Sequence, residues 1–234
     1  GGSDDADHDA DAALKAKLLK AVPEDSIEAT AIRRSAAGTL FVIPVNDGYI
    51  DFGLNLLCSM QRLGLFRRVN AASRDIGGGY LFVAMDELAL EKLTRMGLPV
   101  VKDPDVPLVS SKSAAWGDPK FHALVCTKLI PVLRFLRAGL NVVLSDADIV
   151  FRQDPFPFVR RDLGMTFTIG SCHKDLPDNF NLASNDGLAK LNTGFYHAVS
   201  SPGVISLLAR ALENCRASHL TGDQPAINTV LHDD

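Results

Sequence analysis

Two carboxylates, Asp146 and Asp148, stand one residue apart at the end of the apolar run Asn141-Val142-Val143-Leu144-Ser145. Apolar character resumes in Ile149-Val150-Phe151. A short, β-branched hydrophobic run of this kind reads as a buried strand of a parallel sheet. Side chains at i and i+2 of an extended segment point the same way, so the two carboxylates can converge on one point. In open α/β sheets, ligands bind beyond the carboxyl ends of the strands. Two carboxylates there suit a hard divalent cation, Mn²⁺ or Mg²⁺, shared with a substrate's phosphates. A turn or a helix N-cap, where Asp serves the backbone, accounts for the local pattern equally well.

The elements that must position these residues alternate from Gly38 onward, as in a layered α/β domain. Strands are expected over 39–45, 80–84, 100–101, 165–169 and 194–199, and helices over 49–63, 87–96, 119–138 and 202–216. Asp118 is expected to cap the helix over 119–138, and Pro131 to kink it. Gly77-Gly78-Gly79 precedes a strand and so lacks the context of a dinucleotide-binding glycine loop. Residues 1–37 differ in composition. An Asp- and Ala-rich stretch up to Ala13 reads as disordered, and residues 12–21 read as a short helix. The expected organisation is a leader or stem over 1–37, outside the core, and a single domain over 38–234.

With 234 residues, 47% of them hydrophobic, the chain can bury a sizeable core. Its 24 basic and 28 acidic residues give a net charge of −4 without a basic block, which argues against nucleic acid as a partner. No apolar run approaches membrane-span length, and no signal-peptide pattern opens the chain. The cysteines Cys58, Cys126, Cys172 and Cys215 form no CxxC pair, so a zinc site is not expected. Cys58 and Cys126 fall in apolar helical patterns and read as core residues, while Cys172 and Cys215 are free to pair in an oxidising compartment. His122 and His197 read as core or surface residues. His173 and His219 have no ligand partner at recognisable spacing.

Four segments in order resemble the nucleotide-diphospho-sugar transferases, and among them glycosyltransferase family 77. The carboxylate strand with Phe151-Arg152-Gln153-Asp154-Pro155 resembles that family's DxD segment. Leu191-Asn192-Thr193-Gly194-Phe195 resembles its acceptor-side strand entry, and Thr221-Gly222-Asp223-Gln224-Pro225-Ala226-Ile227-Asn228 its DQ helix. Val45-Asn46-Asp47-Gly48-Tyr49 with Asn55 resembles its first strand, turn and helix. The likeness covers roughly residues 39–231.

The resemblance implies a GT-A fold, a mostly parallel sheet flanked by helices, with the nucleotide over the strand ends. It implies a retaining, metal-dependent glycosyltransferase that moves a sugar from a nucleoside diphosphate, preferably UDP, to a glycan or glycoprotein hydroxyl. Asp148 is then the direct metal ligand, with Asp146 shared between ribose and metal. Lys128 would reach a phosphate or a sugar hydroxyl, although a solvated helix face fits it as well. Asn46 and Asp86 would meet the base and ribose, in competition with turn and capping roles. Asn192 and Thr193 would border the anomeric carbon. Asp223 and Gln224 would contact the sugar, and Asp223 would stabilise the positive charge that develops on its ring. The alternative for Asp223 is a helix cap. Trp116 either lines a sugar subsite or anchors a loop.

In related enzymes a histidine beyond the DQ helix completes the metal site. Only His232 is available here, so the domain is expected to lack its C-terminal end. The resemblance also implies the Golgi lumen, with a membrane anchor outside this chain. Two rivals remain at the level of sequence. One is a non-catalytic glycan-binding or scaffold domain of the same fold. The other is a phosphatase of the haloacid dehalogenase type, whose DxD normally opens the domain.

Overall fold

The computed structural model describes residues 2–65, 79–107, 125–169, 191–217 and 222–233. Expectations for Trp116, Asp118, His122, Cys172, His173 and His219 lie outside these residues.

Six strands form one sheet: β1 (Thr39–Val45), β2 (Tyr80–Ala84), β3 (Val100–Val101), β4 (Asn141–Ser145), β5 (Met165–Ile169) and β6 (Leu191–Ala198). Their order is β3-β2-β1-β4-β6-β5, parallel from β3 to β4, with β6 antiparallel to both of its neighbours. Each central strand divides its side chains by parity. Leu40, Val42, Leu81, Val83, Val142 and Leu144 bury on one face, and Phe41, Ile43, Val45, Tyr80, Phe82 and Val143 on the other. A sheet that is apolar on both faces needs a helical layer on each.

The second of those faces is covered by α3 (Ile50–Arg62) and α4 (Glu87–Arg95). The first is covered by α2 (Ile27–Arg34), α5 (Leu129–Arg137), α6 (Pro202–Ala217) and α7 (Asp223–Asp233). An N-terminal helix, α1 (Gly2–Leu19), runs where disorder was expected for the first residues. Helix α2 also corrects the expectation that residues 1–37 stay outside the core. Its Ala29, Ala31 and Ile32 are fully buried, and Ser26 caps it by accepting from the Ala29 N–H at 3.1 Å. Glu28 of α2 meets Arg134 of α5 at 2.9 Å, and Arg134 also reaches the buried Asp103 at 2.8 Å. Burial alone would raise the Glu28 carboxyl, but Arg134 and backbone donors pull it below its ordinary value.

The predicted strands appear within a few residues of their expected bounds, with β6 starting three residues early. Two cysteine expectations fail. Cys58 is exposed, because it lies across α3 from the stripe Ile50, Gly53, Leu57 and Met60. Cys126 forms a disulfide with Cys215, which therefore does not pair with Cys172.

Pro44 opens the sheet where a site is needed. The Phe41 N–H donates to Gly79 and the Val45 carbonyl accepts from Met85, so odd-numbered residues of β1 bond toward β2. Even-numbered residues then face β4, and Pro44 has no N–H to give. The β1–β4 ladder stops at Val42↔Leu144, and beyond it the two strands part.

Candidate active site

The parting leaves a pocket at the carboxyl ends of β1 and β4. Pro44, Val45, Asn46 and Tyr49 line one side, Asp146, Ala147 and Asp148 another, with Met85, Val125 and Lys128 completing it. The sheet order turns at β1 and β4, which is where open α/β sheets bind ligands.

The two carboxylates reach this pocket by a different route from the one expected. Strand β4 ends at Ser145, so Asp146 and Asp148 line the pocket from the turn that follows it and not by strand alternation. The turn is held from three sides. The Asp146 N–H donates to Gly194 O at 2.6 Å. The Phe151 N–H donates to Ser59 Oγ at 3.1 Å, and the Phe151 ring stacks edge-on against Phe195 with centroids 5.3 Å apart. Gly53 of α3 admits the close approach: a Cβ there would sit 3.0 Å from Val45, 3.1 Å from Phe82 and 3.9 Å from Ala147.

Lys128 is the centre of the charge arrangement. Its ammonium lies 2.8 Å from Asp146 Oδ1 and 3.1 Å from Asp223 Oδ2. The solvated-face alternative is excluded, since Lys128 is 5% exposed. Burial alone would depress its pKa, but Asp146 and Asp223 outweigh this and hold it above the ordinary lysine value. Burial pushes the Asp223 carboxyl up, against the pull of Lys128. Burial likewise raises the phenol of Tyr196, a fully buried residue that feels all three charges.

Residues 125–127 are helical and α5 begins at Leu129, with Lys128 between them in a right-handed helical conformation, φ −64° and ψ −20°. Pro131 has no N–H to donate to the Thr127 carbonyl, so the helical ladder lapses one turn before the proline.

Several predicted contacts serve the backbone. Asp86 caps α4 by accepting from Ala89 N–H at 2.9 Å, and its other oxygen accepts from Asp47 N–H at 2.8 Å. Each oxygen thus accepts one backbone N–H, which is the capping and turn role that competes with a ribose contact for Asp86. Asn46 is buried on the pocket wall, where the nucleotide contact expected of it remains open. Asn192 accepts from Gly194 N–H at 2.8 Å, closing a local turn inside an irregularity between β5 and β6. A Cβ at Gly194 would lie 2.9 Å from Asn192 Oδ1 and 3.2 Å from Asp146 Oδ2. Gln224 accepts from Thr193 N–H at 3.4 Å. Asp223 begins α7, but its carboxylate goes to Lys128 and the Thr193 side chain. Asp223, Asn192 and Gln224 thus cluster around Thr193 and Lys128 at the edge of the pocket, each engaged by a protein partner.

Asn228 had no role assigned from sequence. It accepts from Leu191 N–H at 3.0 Å and donates to the carbonyls of Leu191 and Gln224 at 3.0 and 2.7 Å. It thereby ties α7 to the start of β6. Its place in the segment that resembles the DQ helix, one helical turn after Gln224, was the signal in the sequence.

Among the described residues, no group of three or more His, Cys, Asp or Glu is placed to hold a metal. Two carboxylates lining one pocket still fit Mn²⁺ or Mg²⁺, which bind through one or two carboxylates together with substrate phosphates. Asp148 is exposed at the pocket, and Asp146 commits only one oxygen to Lys128.

The model of the nucleotide-diphospho-sugar transferase family matches residues 79–234, more than half of the chain. This chain belongs to that family. The beta-arabinofuranosyltransferase RAY1 of Arabidopsis thaliana is 26% identical over 185 residues, 78% of this chain and 31% of the relative. The arabinosyltransferase RRA2 of the same plant is 25% identical over 228 residues, 90% of this chain and 49% of the relative. The chain thus spans about a third and about half of these relatives' lengths. The WbbM bifunctional glycosyltransferase in its apo form superposes with a TM-score of 0.50 at 16% identity, over 82% of this chain and 37% of that one. That likeness is one of fold, and with the six-stranded mixed sheet it gives the GT-A architecture expected from sequence. The phosphatase alternative ends here, since the family differs and the carboxylates follow the fourth strand. No helix among the described residues is long and apolar enough to cross a membrane.

Proposed function

We propose that this nucleotide-diphospho-sugar transferase domain moves a pentose, with retention of configuration, from a UDP-linked donor to a glycan or glycoprotein hydroxyl. The observation that carries this reading is the Lys128 ammonium, buried between Asp146 and Asp223 beside the exposed Asp148. The names of the two plant relatives favour arabinose as the sugar.

Loss of a nucleoside diphosphate concentrates negative charge on the leaving phosphate, and catalysis needs fixed positive charge there. Mn²⁺ or Mg²⁺, held on Asp148 and the second oxygen of Asp146, would supply Lewis-acid neutralisation when bound. Lys128 adds a positive charge that two carboxylates keep protonated and oriented, and it lines the pocket. Asp223 acts through Lys128 as a positioning residue. Asn192 and Gln224 act likewise on the strand irregularity that presents Gly194 to Asp146. Asn46 and Tyr49 provide a wall for the nucleoside. The disulfide suits an oxidising compartment and supports a setting in the Golgi lumen, with any anchor outside this chain.

Incubation with UDP-arabinose tests the reading by UDP release and sugar transfer. Release that requires Mn²⁺ is the expected result. Binding of UDP without any release would instead favour a glycan-binding scaffold.

A further inference from the structure

The segment that carries Lys128 is joined to the α6–α7 unit at three levels. Gly222, just before α7, lies so close that a Cβ there would sit 2.8 Å from Val125 Cγ2. Cys126 is bonded to Cys215 near the end of α6, with Cα atoms 6.0 Å apart. Lys128 meets Asp223, the first residue of α7, at 3.1 Å. On its other side the segment runs into α5 through Lys128, where Pro131 has no N–H to continue the helical ladder. Both cysteines are 7% exposed, so the crosslink lies within the core beside the charge cluster and not at the surface.

We propose that the Cys126–Cys215 disulfide positions the active site: it sets Lys128 against Asp223 and, through Lys128, orients Asp146 for the donor. The donor reading above is the basis of this step. A crosslink that only stabilises the fold raises the melting midpoint and leaves ligand affinity of the folded molecule unchanged. A positioning crosslink changes affinity well below the melt. Lys128 supports the metal-side carboxylate from behind, and loss of such support typically costs roughly 10- to 100-fold in metal affinity or activity.

The test compares Mn²⁺–UDP affinity, by calorimetry, in four forms of the full chain. These are the oxidised protein, protein reduced with a phosphine, reoxidised protein, and the double variant Cys126→Ala/Cys215→Ala. In the reduction, the phosphine takes an oxygen from water to become its oxide. The S–S bond breaks, and two electrons with the two protons of that water leave Cys126 and Cys215 as thiols. Affinity is expected to fall roughly 10- to 100-fold in the reduced and double-variant forms and to return on reoxidation. Far-ultraviolet circular dichroism should be the same in all four. Unchanged affinity beside a lowered midpoint overturns the proposal. Loss of fold in both disulfide-free forms also overturns it, by making the bond a folding crosslink. Absence of Mn²⁺–UDP binding by the oxidised protein, with its crosslink intact, overturns the donor reading itself and the positioning role with it.

Discussion

Asp148 and Lys128 contribute to the pocket by opposite means: one is exposed and free to take a cation, the other is buried and already paired. Asp148→Asn keeps the side chain's shape and deletes the charge that would hold a metal. UDP affinity in Mn²⁺ is expected to fall to the value measured in EDTA. The urea midpoint should move little, because substitutions at exposed sites usually stay within about 0.5 kcal/mol. Titration of UDP into the variant with and without Mn²⁺, beside a urea melt, checks both. A collapsed melt would make Asp148 a structural residue. At this scale the place of Asp146 and Asp148 at the end of the fourth strand was legible from the apolar run before them, but not the turn that brings both to the pocket. Lys128 was legible only through the resemblance, since its ion pairs reach Asp146 and Asp223, on other elements and distant in sequence. Asp86 and Asn192 were ambiguous in the sequence because short polar side chains at strand ends satisfy backbone donors as readily as ligands.

Strand β6 shows how an element can carry both the site and the stability. Its first half supplies Thr193 and Gly194 to the charge cluster, and its second half is packed between β4 and β5. His197, opposite Val143 and Thr166, is 3% exposed. Burial, with the charge of Arg161 adding to it, holds the imidazole below its ordinary value. The unfolded chain therefore binds a proton that the folded chain refuses. The sign follows: this contribution is complete above about pH 6.5 and is lost as the pH falls toward the folded value. The slope reaches at most about 1.4 kcal/mol per pH unit. Urea melts between about pH 7.5 and 5.5 should show stability falling with acid, and His197→Gln should flatten that fall. The same slope in both proteins would place the titration elsewhere. Strands and the faces of β1, β2 and β4 were legible because two-sided burial leaves a continuous apolar run. The role of α2 was not, because eight residues are too short a stretch to read as a core helix and their burial depends on Arg134 and the sheet. The pairing of Cys126 with Cys215 was equally hidden, as 89 residues separate them and only the fold brings them together.

At the scale of the whole molecule, the sheet order, the opening past Pro44 and the carboxylate turn together define one pocket, and the proposed function assigns that pocket to a nucleoside diphosphate with a divalent cation. The layered α/β fold was readable from the alternation of elements. That β1 and β4 part at Pro44 was not, since it depends on which neighbour each amide of β1 faces. The most direct measurement is the thermal midpoint of the full chain with UDP, with Mn²⁺, with both, and with UDP in EDTA. A ligand that binds only the folded state stabilises it by about 2.7 kcal/mol at a hundred times its dissociation constant. If Asp146 and Asp148 share a cation with the diphosphate, UDP and Mn²⁺ together must raise the midpoint by more than the sum of their separate shifts. Equal shifts by UDP in EDTA and in Mn²⁺, or no shift by either, would contradict the assignment.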